Sequence, residues 1–249
     1  MTTIPANLQR VRERIAAACA AAQRDVSEIT LLAVSKTFGP EDVREAFSAG
    51  QRAFGENYIQ EAVEKIGLLA ELALQWHCIG PIQSNKTRLV AAHFDWAHTV
   101  DRLKVAERLS AQRPEGLPPL QVCLQVNIDG GPSKSGVPPQ EMLALAREVA
   151  HLPRIVLRGL MTIPEPVAGF EAQKAVHLRA RALFDTLRDA GLALDTLSMG
   201  MTADLEAAIA AGSTMVRIGT AIFGSRAGAR ADPAQAHGGT LISSTARPA

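Results

Sequence analysis

Aromatic side chains are scarce in this 249-residue chain, at 4% with two Trp and a single Tyr. A protein that threads single-stranded nucleic acid needs rings on which bases can stack, and there are too few for such a platform. The net charge is +1, with no basic tract to follow a phosphate backbone, so nucleic acid is not an expected partner. No apolar run approaches the roughly 20 residues of a membrane-spanning helix. The N-terminus lacks the charged-then-apolar pattern of a secretory leader, so a cytoplasmic protein is expected. The three cysteines, Cys19, Cys78 and Cys123, are odd in number and far apart, which suits neither a disulfide framework nor a zinc site. The six His residues also lack ligand spacing, so no metal is expected.

What is present is a repeated alternation. An amphipathic pattern over residues 7–24, with Leu8, Val11, Ile15, Cys19 and Ala22 at helical intervals, opens the chain. Eight short apolar runs follow, at 30–36, 52–56, 76–80, 96–100, 120–128, 156–163, 196–201 and 215–224. Helical patterns separate them. Pro40 suits a first helical position and Gly50 a stop, while Gly67, Gly191 and Gly212 punctuate later helices in the same way. Strands that are apolar nearly throughout, each followed by a helix, call for a parallel sheet covered by helices. Eight such units in this length fit a closed (β/α)8 TIM-type barrel, a single α/β domain with an extra N-terminal helix. An open nucleotide-binding sheet would carry a glycine-rich turn after its first strand, and here that turn reads SKTFGP. The barrel domain is expected over residues 1–226. The tail, 227–249, is rich in Ala, Gly, Pro, Ser and Thr, which suggests a flexible extension.

In such a barrel, active sites collect at the C-terminal mouth, and a phosphate site commonly forms after strands seven and eight. Lys36 ends the first apolar run, while SMGMT (198–202) and VRIGT (216–220) end the seventh and eighth. Strand one adjoins strand eight when the barrel closes, so these distant segments converge. Preceded by Leu31, Leu32, Ala33 and Val34, Lys36 is expected to approach a partly dry pocket. Dry surroundings favour the free amine that imine formation needs. The alternative is a lysine snorkelling to water from a strand end. Gly200 offers close backbone approach to a ligand, and Thr202 can cap the following helix, whose first amides favour an anion. Gly219 and Thr220 add amides and a hydroxyl. Arg217 sits inside an apolar strand, either in a buried ion pair or as a donor to an aromatic ring nitrogen. Asn57, His77 and the segment with Lys86 and Arg88 also fall near strand ends. GGPSKSG places Ser133 where a phosphate loop requires glycine, which argues against nucleotide hydrolysis.

These residues, in AVSKT, FGENYIQEA, WHCIGPIQSNK, NIDGGPSKSG, RGLMTIP and SMGMTADLEAAIAAGSTMVRIGTAIFG, resemble the pyridoxal-phosphate homeostasis protein family, single-domain relatives of the alanine racemase barrel. The resemblance runs from the first helix to about Arg226. It implies that pyridoxal 5'-phosphate (PLP) is held as a Schiff base on Lys36, with Arg217 facing the pyridine nitrogen. Ser198, Gly219 and Thr220 would hold the phosphate, Met199 and Gly200 would shape its turn, and Asn57, His77 and Met161 would line the pocket. It further implies a monomer that binds and delivers the cofactor, with PLP-dependent apoenzymes as recipients and no dedicated turnover. Three features depart from the family pattern: Phe38-Gly39 after SKT, the DGGP insert before Lys134, and a longer tail.

Two enzyme readings use the same residues. An amino-acid racemase of this superfamily would add a C-terminal β-domain and a tyrosine base; the only tyrosine is Tyr58, so His77 would have to serve as another base. A Schiff-base aldolase acting on a sugar phosphate would need a carboxylate at the mouth, for which Glu56 and Asp129 are candidates. Lys86 and Lys134 are candidates for a second site.

Overall fold

The computed structural model describes residues 3–131 and 135–224. The possible second site at Lys134 and the tail over 227–249 lie outside the described residues. The eight apolar runs become β1 (Thr30–Val34), β2 (Ala53–Glu56), β3 (Gln75–Cys78), β4 (Trp96–Val100), β5 (Leu120–Gln125), β6 (Ile155–Met161), β7 (Thr196–Ser198) and β8 (Met215–Ile218). Their order in space is their order in sequence, every pairing is parallel, and β1 closes on β8 with Leu32 opposite Arg217 and Ala33 opposite Ile218. Helices of the described chain are α1 (Ile4–Ala21), α2 (Pro40–Ser48), α3 (Ile59–Leu68), α4 (Thr87–His93), α5 (Leu103–Gln112), α6 (Met142–Ala150), α7 (Phe170–Asp189), α8 (Leu205–Ala210) and α9 (Thr220–Phe223). The single barrel domain is as expected.

Helix α1 explains itself from its ends and one face. Thr3 accepts from the Ala6 amide, and Pro5 lies in the first turn, where its missing N–H is no loss. Leu8, Val11, Ile15 and Cys19 form the buried stripe. That stripe packs against α8, α9 and α2. Because α9 is only four residues long, α1 takes the place in the outer ring that a full helix after β8 would fill. Asn7 secures it by donating to the Ile222 carbonyl at 2.7 Å.

Two kinds of interior result. The large core lies between strands and helices, where Ala33, Phe54, Leu124, Leu160, Val216 and Ile218 project. Inside the barrel, Leu32, Ala53, Ile79 and Met215 form one small apolar cluster, and Trp96, Cys123 and Met161 form another. Between these clusters runs a polar seam of His77, His98, Ser198 and Arg217.

Several boundaries differ from the sequence reading. β8 stops at Ile218, and 220–223 turn into helix rather than continuing the strand. Apolar character outlasts the hydrogen-bond ladder there because α9 buries Ile222 against α1. Thr202 does not cap α8; Asp204 occupies the N-cap position, with its carboxylate accepting from the Met201 amide at 2.6 Å. Gly67 lies within the last turn of α3 rather than stopping it. Gly50, Gly191 and Gly212 do follow helices at positive φ.

Candidate functional site at the barrel mouth

All strands are parallel, so their C-terminal ends open on one face. β1 ends at Val34, and Lys36 stands two residues further on, exposed in a turn. The partly dry surroundings expected for Lys36 are therefore not those it has; the strand releases the chain before the lysine is reached. The turn itself is firmly tied. Ser35 donates its hydroxyl to Glu56 Oε1 at 2.7 Å, and Lys65 Nζ donates to the Ser35 carbonyl at 3.0 Å and to Glu56 Oε1 at 2.7 Å. On the other side of Lys36, the Thr37 amide donates to Glu61 Oε1 at 3.0 Å, with Thr37 at φ +69°. Burial pushes the Glu56 carboxyl up against the lowering pull of Lys65 and Ser35. Phe38 then stacks on Phe223 of α9 with ring centroids 5.0 Å apart, which joins the Lys36 turn to the end of β8.

Arg217 is buried on β8, and the ion pair considered for it is absent among the described residues. Its guanidinium instead donates to two neutral acceptors, Ser198 Oγ at 2.9 Å and the Thr162 carbonyl at 2.8 Å. Burial lowers its pKa to about 10, still well above neutral, so the charge is kept. Ser198, the last residue of β7, is wholly buried with its hydroxyl in contact with Arg217 and His98.

Gly219 and Thr220 begin α9, and Thr220 is exposed. The first amides of a helix have no partner within it, so these face whatever the mouth receives. Gly219 lies against β1: a Cβ there would stand 3.3 Å from the Val34 carbonyl, so the start of α9 and the Lys36 turn are neighbours. Met199 is buried in the outer core and contributes through its backbone, whose carbonyl accepts from Ser213 at 2.7 Å. Gly200 has φ +94°, and a Cβ would meet that of Ala208 at 2.4 Å. The lack of a side chain thus lets helix α8 pack closely against this turn. The Gly200 carbonyl accepts from the Arg217 amide at 3.0 Å.

Asn57 follows β2 with its side-chain oxygen buried and without a hydrogen-bond partner among the described residues. Gly80 makes room for this segment, since a Cβ there would lie 2.0 Å from the Asn57 carbonyl. Met161 packs on Trp96 and Cys123 inside the barrel, and His77 is wholly buried with both ring nitrogens engaged. Lys86 occupies the N-cap position of α4, a seven-residue helix, without a side-chain capping hydrogen bond. Two features escaped sequence reading. His98 was hidden in an apolar strand, although a lone polar side chain inside an otherwise apolar run is a usable signal. Lys65 shares the buried face of α3 with Ile59 and Ala62, a three-residue spacing that could have marked it.

Residues 6–227 match the model of the family described as alanine racemase, N-terminal domain. The pyridoxal phosphate homeostasis protein of Pseudomonas aeruginosa is 60% identical over 226 residues, covering 91% of this chain and 97% of that one. The protein of the same name from Escherichia coli K12 is 55% identical over 229 residues, covering 91% and 98%. Among solved structures, PipY of Synechococcus elongatus with PLP bound superposes with a TM-score of 0.74 at 39% identity, covering 84% of this chain and all of that one.

Proposed function

The chain belongs to the alanine racemase N-terminal domain family and, within it, to the pyridoxal phosphate homeostasis proteins, and from that premise we propose that it binds PLP through Lys36 and holds it for delivery. The observation that carries this reading is the Arg217 guanidinium, buried and charged, which among the described residues is hydrogen-bonded only to neutral acceptors at the strand ends, with the Asp204 carboxylate acting on it beyond hydrogen-bond contact. An anionic ligand with a ring nitrogen completes such a site; an apolar ligand would not. The unpartnered oxygen of Asn57 leaves room for one more polar contact.

The cofactor supplies an aldehyde, a pyridine ring and a phosphate. Lys36 would hold the cofactor through its aldehyde, the amine nitrogen replacing the carbonyl oxygen, which would leave as water. Arg217 would donate to the ring nitrogen without giving up its proton, which would leave the ring a poor electron sink. This supports retention without dedicated turnover. Gly219 and Thr220 would supply amides and a hydroxyl to the phosphate, while Ser198 would hold Arg217 and Met199 and Gly200 would shape the turn. Asn57 reaches the pocket, and His77 and Met161 form its floor. A racemase would need a second base; His77 is buried and bonded at both nitrogens, so it is poorly placed for that task. The protein works in this reading as a cytoplasmic monomer whose recipients are PLP-dependent apoenzymes, with residues 1–226 as the binding domain.

Titration of the protein with PLP, followed by absorbance, tests the binding claim. Saturable uptake near one equivalent, lost in Lys36→Ala, is expected. Identical spectra for Lys36→Ala and the parent would remove Lys36 from the site.

A further inference from the structure

The seam inside the barrel is a continuous chain of hydrogen bonds. Gln75 Oε1 lies 3.1 Å from His77 Nε2, His77 Nδ1 is 2.9 Å from His98 Nε2, and His98 Nδ1 is 3.0 Å from Ser198 Oγ. Arg217 Nη1 donates to the same Ser198 oxygen at 2.9 Å. His98 is on β4 and Ser198 on β7, strands that are not neighbours, so the contact crosses the barrel interior.

The polarity of this chain follows from what each group can donate. A guanidinium only donates, so Ser198 accepts from it. Burial holds both imidazoles neutral, with His77 down to about 3 and His98 well below its ordinary value. Each ring then has one N–H and one lone pair. If His98 carried its proton on Nδ1, both it and Arg217 would donate to Ser198, and the buried hydroxyl would have a proton with nowhere to go. The opposite direction uses every donor once. Arg217 gives to Ser198, Ser198 to His98 Nδ1, His98 Nε2 to His77 Nδ1, and His77 Nε2 to the Gln75 carbonyl. Every acceptor end then points toward the cation.

We propose that Gln75, His77, His98 and Ser198 form a neutral dipole chain that holds Arg217 charged and oriented without neutralising it, and that His98 is a positioning residue for the cofactor-ring contact. A carboxylate in the same place would anchor the guanidinium equally well but cancel its charge toward an anionic ligand. The dipoles stabilise the buried ion and leave its attraction intact. The role for the cofactor rests on the PLP reading; the direction of the chain does not.

Two measurements test it. Nitrogen-15 NMR of the cofactor-free protein should find His77 and His98 both protonated on Nε2 and bare on Nδ1. Protonation of His98 on Nδ1 would overturn the chain, whatever the protein binds. PLP titration should then show His98→Leu, which removes the acceptor, weakening affinity by about tenfold, the scale of a hydrogen bond to a charged group. His98→Asn, which can replace Nδ1 with an amide oxygen, should recover most of that loss. Borohydride should still fix the cofactor on Lys36 in both variants. Equal affinity in a folded His98→Leu would overturn the positioning role. If His98→Leu does not fold, the tautomers of the parent protein decide. Absence of PLP binding by the parent would instead defeat the cofactor reading while leaving the tautomer result intact.

Discussion

Replacing Lys65 by Met isolates the buried pair that ties down the Lys36 turn. Lys65 Nζ and Glu56 Oε1 are 2.7 Å apart, and the two side chains are 4% and 0% exposed. Without the ammonium, among the described residues Oε1 keeps only the Ser35 hydroxyl, and Oε2 already has no partner. Breaking a buried pair from one side costs about 3–5 kcal/mol. For a domain of this size that corresponds to a fall of roughly 6–20 °C in Tm. The deficit should depend on pH. Burial already raises the Glu56 carboxyl above its ordinary 4.5, and Lys65 is the main group opposing that rise. In the variant the carboxyl rises further, so the folded state binds a proton more readily than the unfolded chain. Acidification therefore favours the folded variant, and its deficit against the parent should shrink between pH 8 and pH 5.5. Chemical denaturation of both proteins at each pH reads this difference directly. Glu56→Gln added to Lys65→Met should recover part of the loss at pH 8, since no buried charge then remains unmatched. A deficit below about 1 kcal/mol, against the 3–5 expected for a broken buried pair, or one equal at both pH values, would refute the reasoning.

Arg217→Met should leave stability within about 2 kcal/mol of the parent, because the lost hydrogen bonds are offset by removal of a buried unpaired charge. PLP affinity should nevertheless fall at least about tenfold, and unchanged affinity in a titration would contradict the assigned contact. Gly200→Ala should destabilise by about 2–3 kcal/mol through positive φ and overlap with Ala208; a Tm equal to that of the parent would show that the turn relaxes freely. His77 supplies a pH dependence of opposite sign to that of Glu56. Its folded pKa, about 3, lies below the ordinary 6.5, so its contribution is full above 6.5 and declines as pH falls toward 3. Between pH 7 and pH 5 the loss is about 2 kcal/mol, and His77→Gln should flatten that slope in denaturation curves.

The barrel was legible because each strand is a separate apolar run and a glycine or proline marks most of the turns between. Ends were harder to read. Residues 219–223 are as apolar as β8 itself, yet they serve α9, and nothing local distinguishes a ladder that has ended from one that continues. For the same reason Lys36 appeared to lie in the strand's dry wall, whereas the ladder stops at Val34. The contact of Gly200 with Ala208 was not legible, since it depends on how α8 returns over the barrel. The mouth positions of Lys36, Gly219 and Thr220 followed from topology alone. The surroundings of Arg217 did not, because Ser198, His98 and Thr162 come from three other strands or their ends.

The most direct test of the central claim is intact mass before and after borohydride reduction in the presence of PLP, with peptide mapping of the product. A single pyridoxyl-phosphate increment on the peptide containing Lys36, absent from Lys36→Ala, is the expected result. An unmodified mass after reduction, or an increment that maps elsewhere and persists in Lys36→Ala, would contradict a cofactor held at this barrel mouth through Lys36.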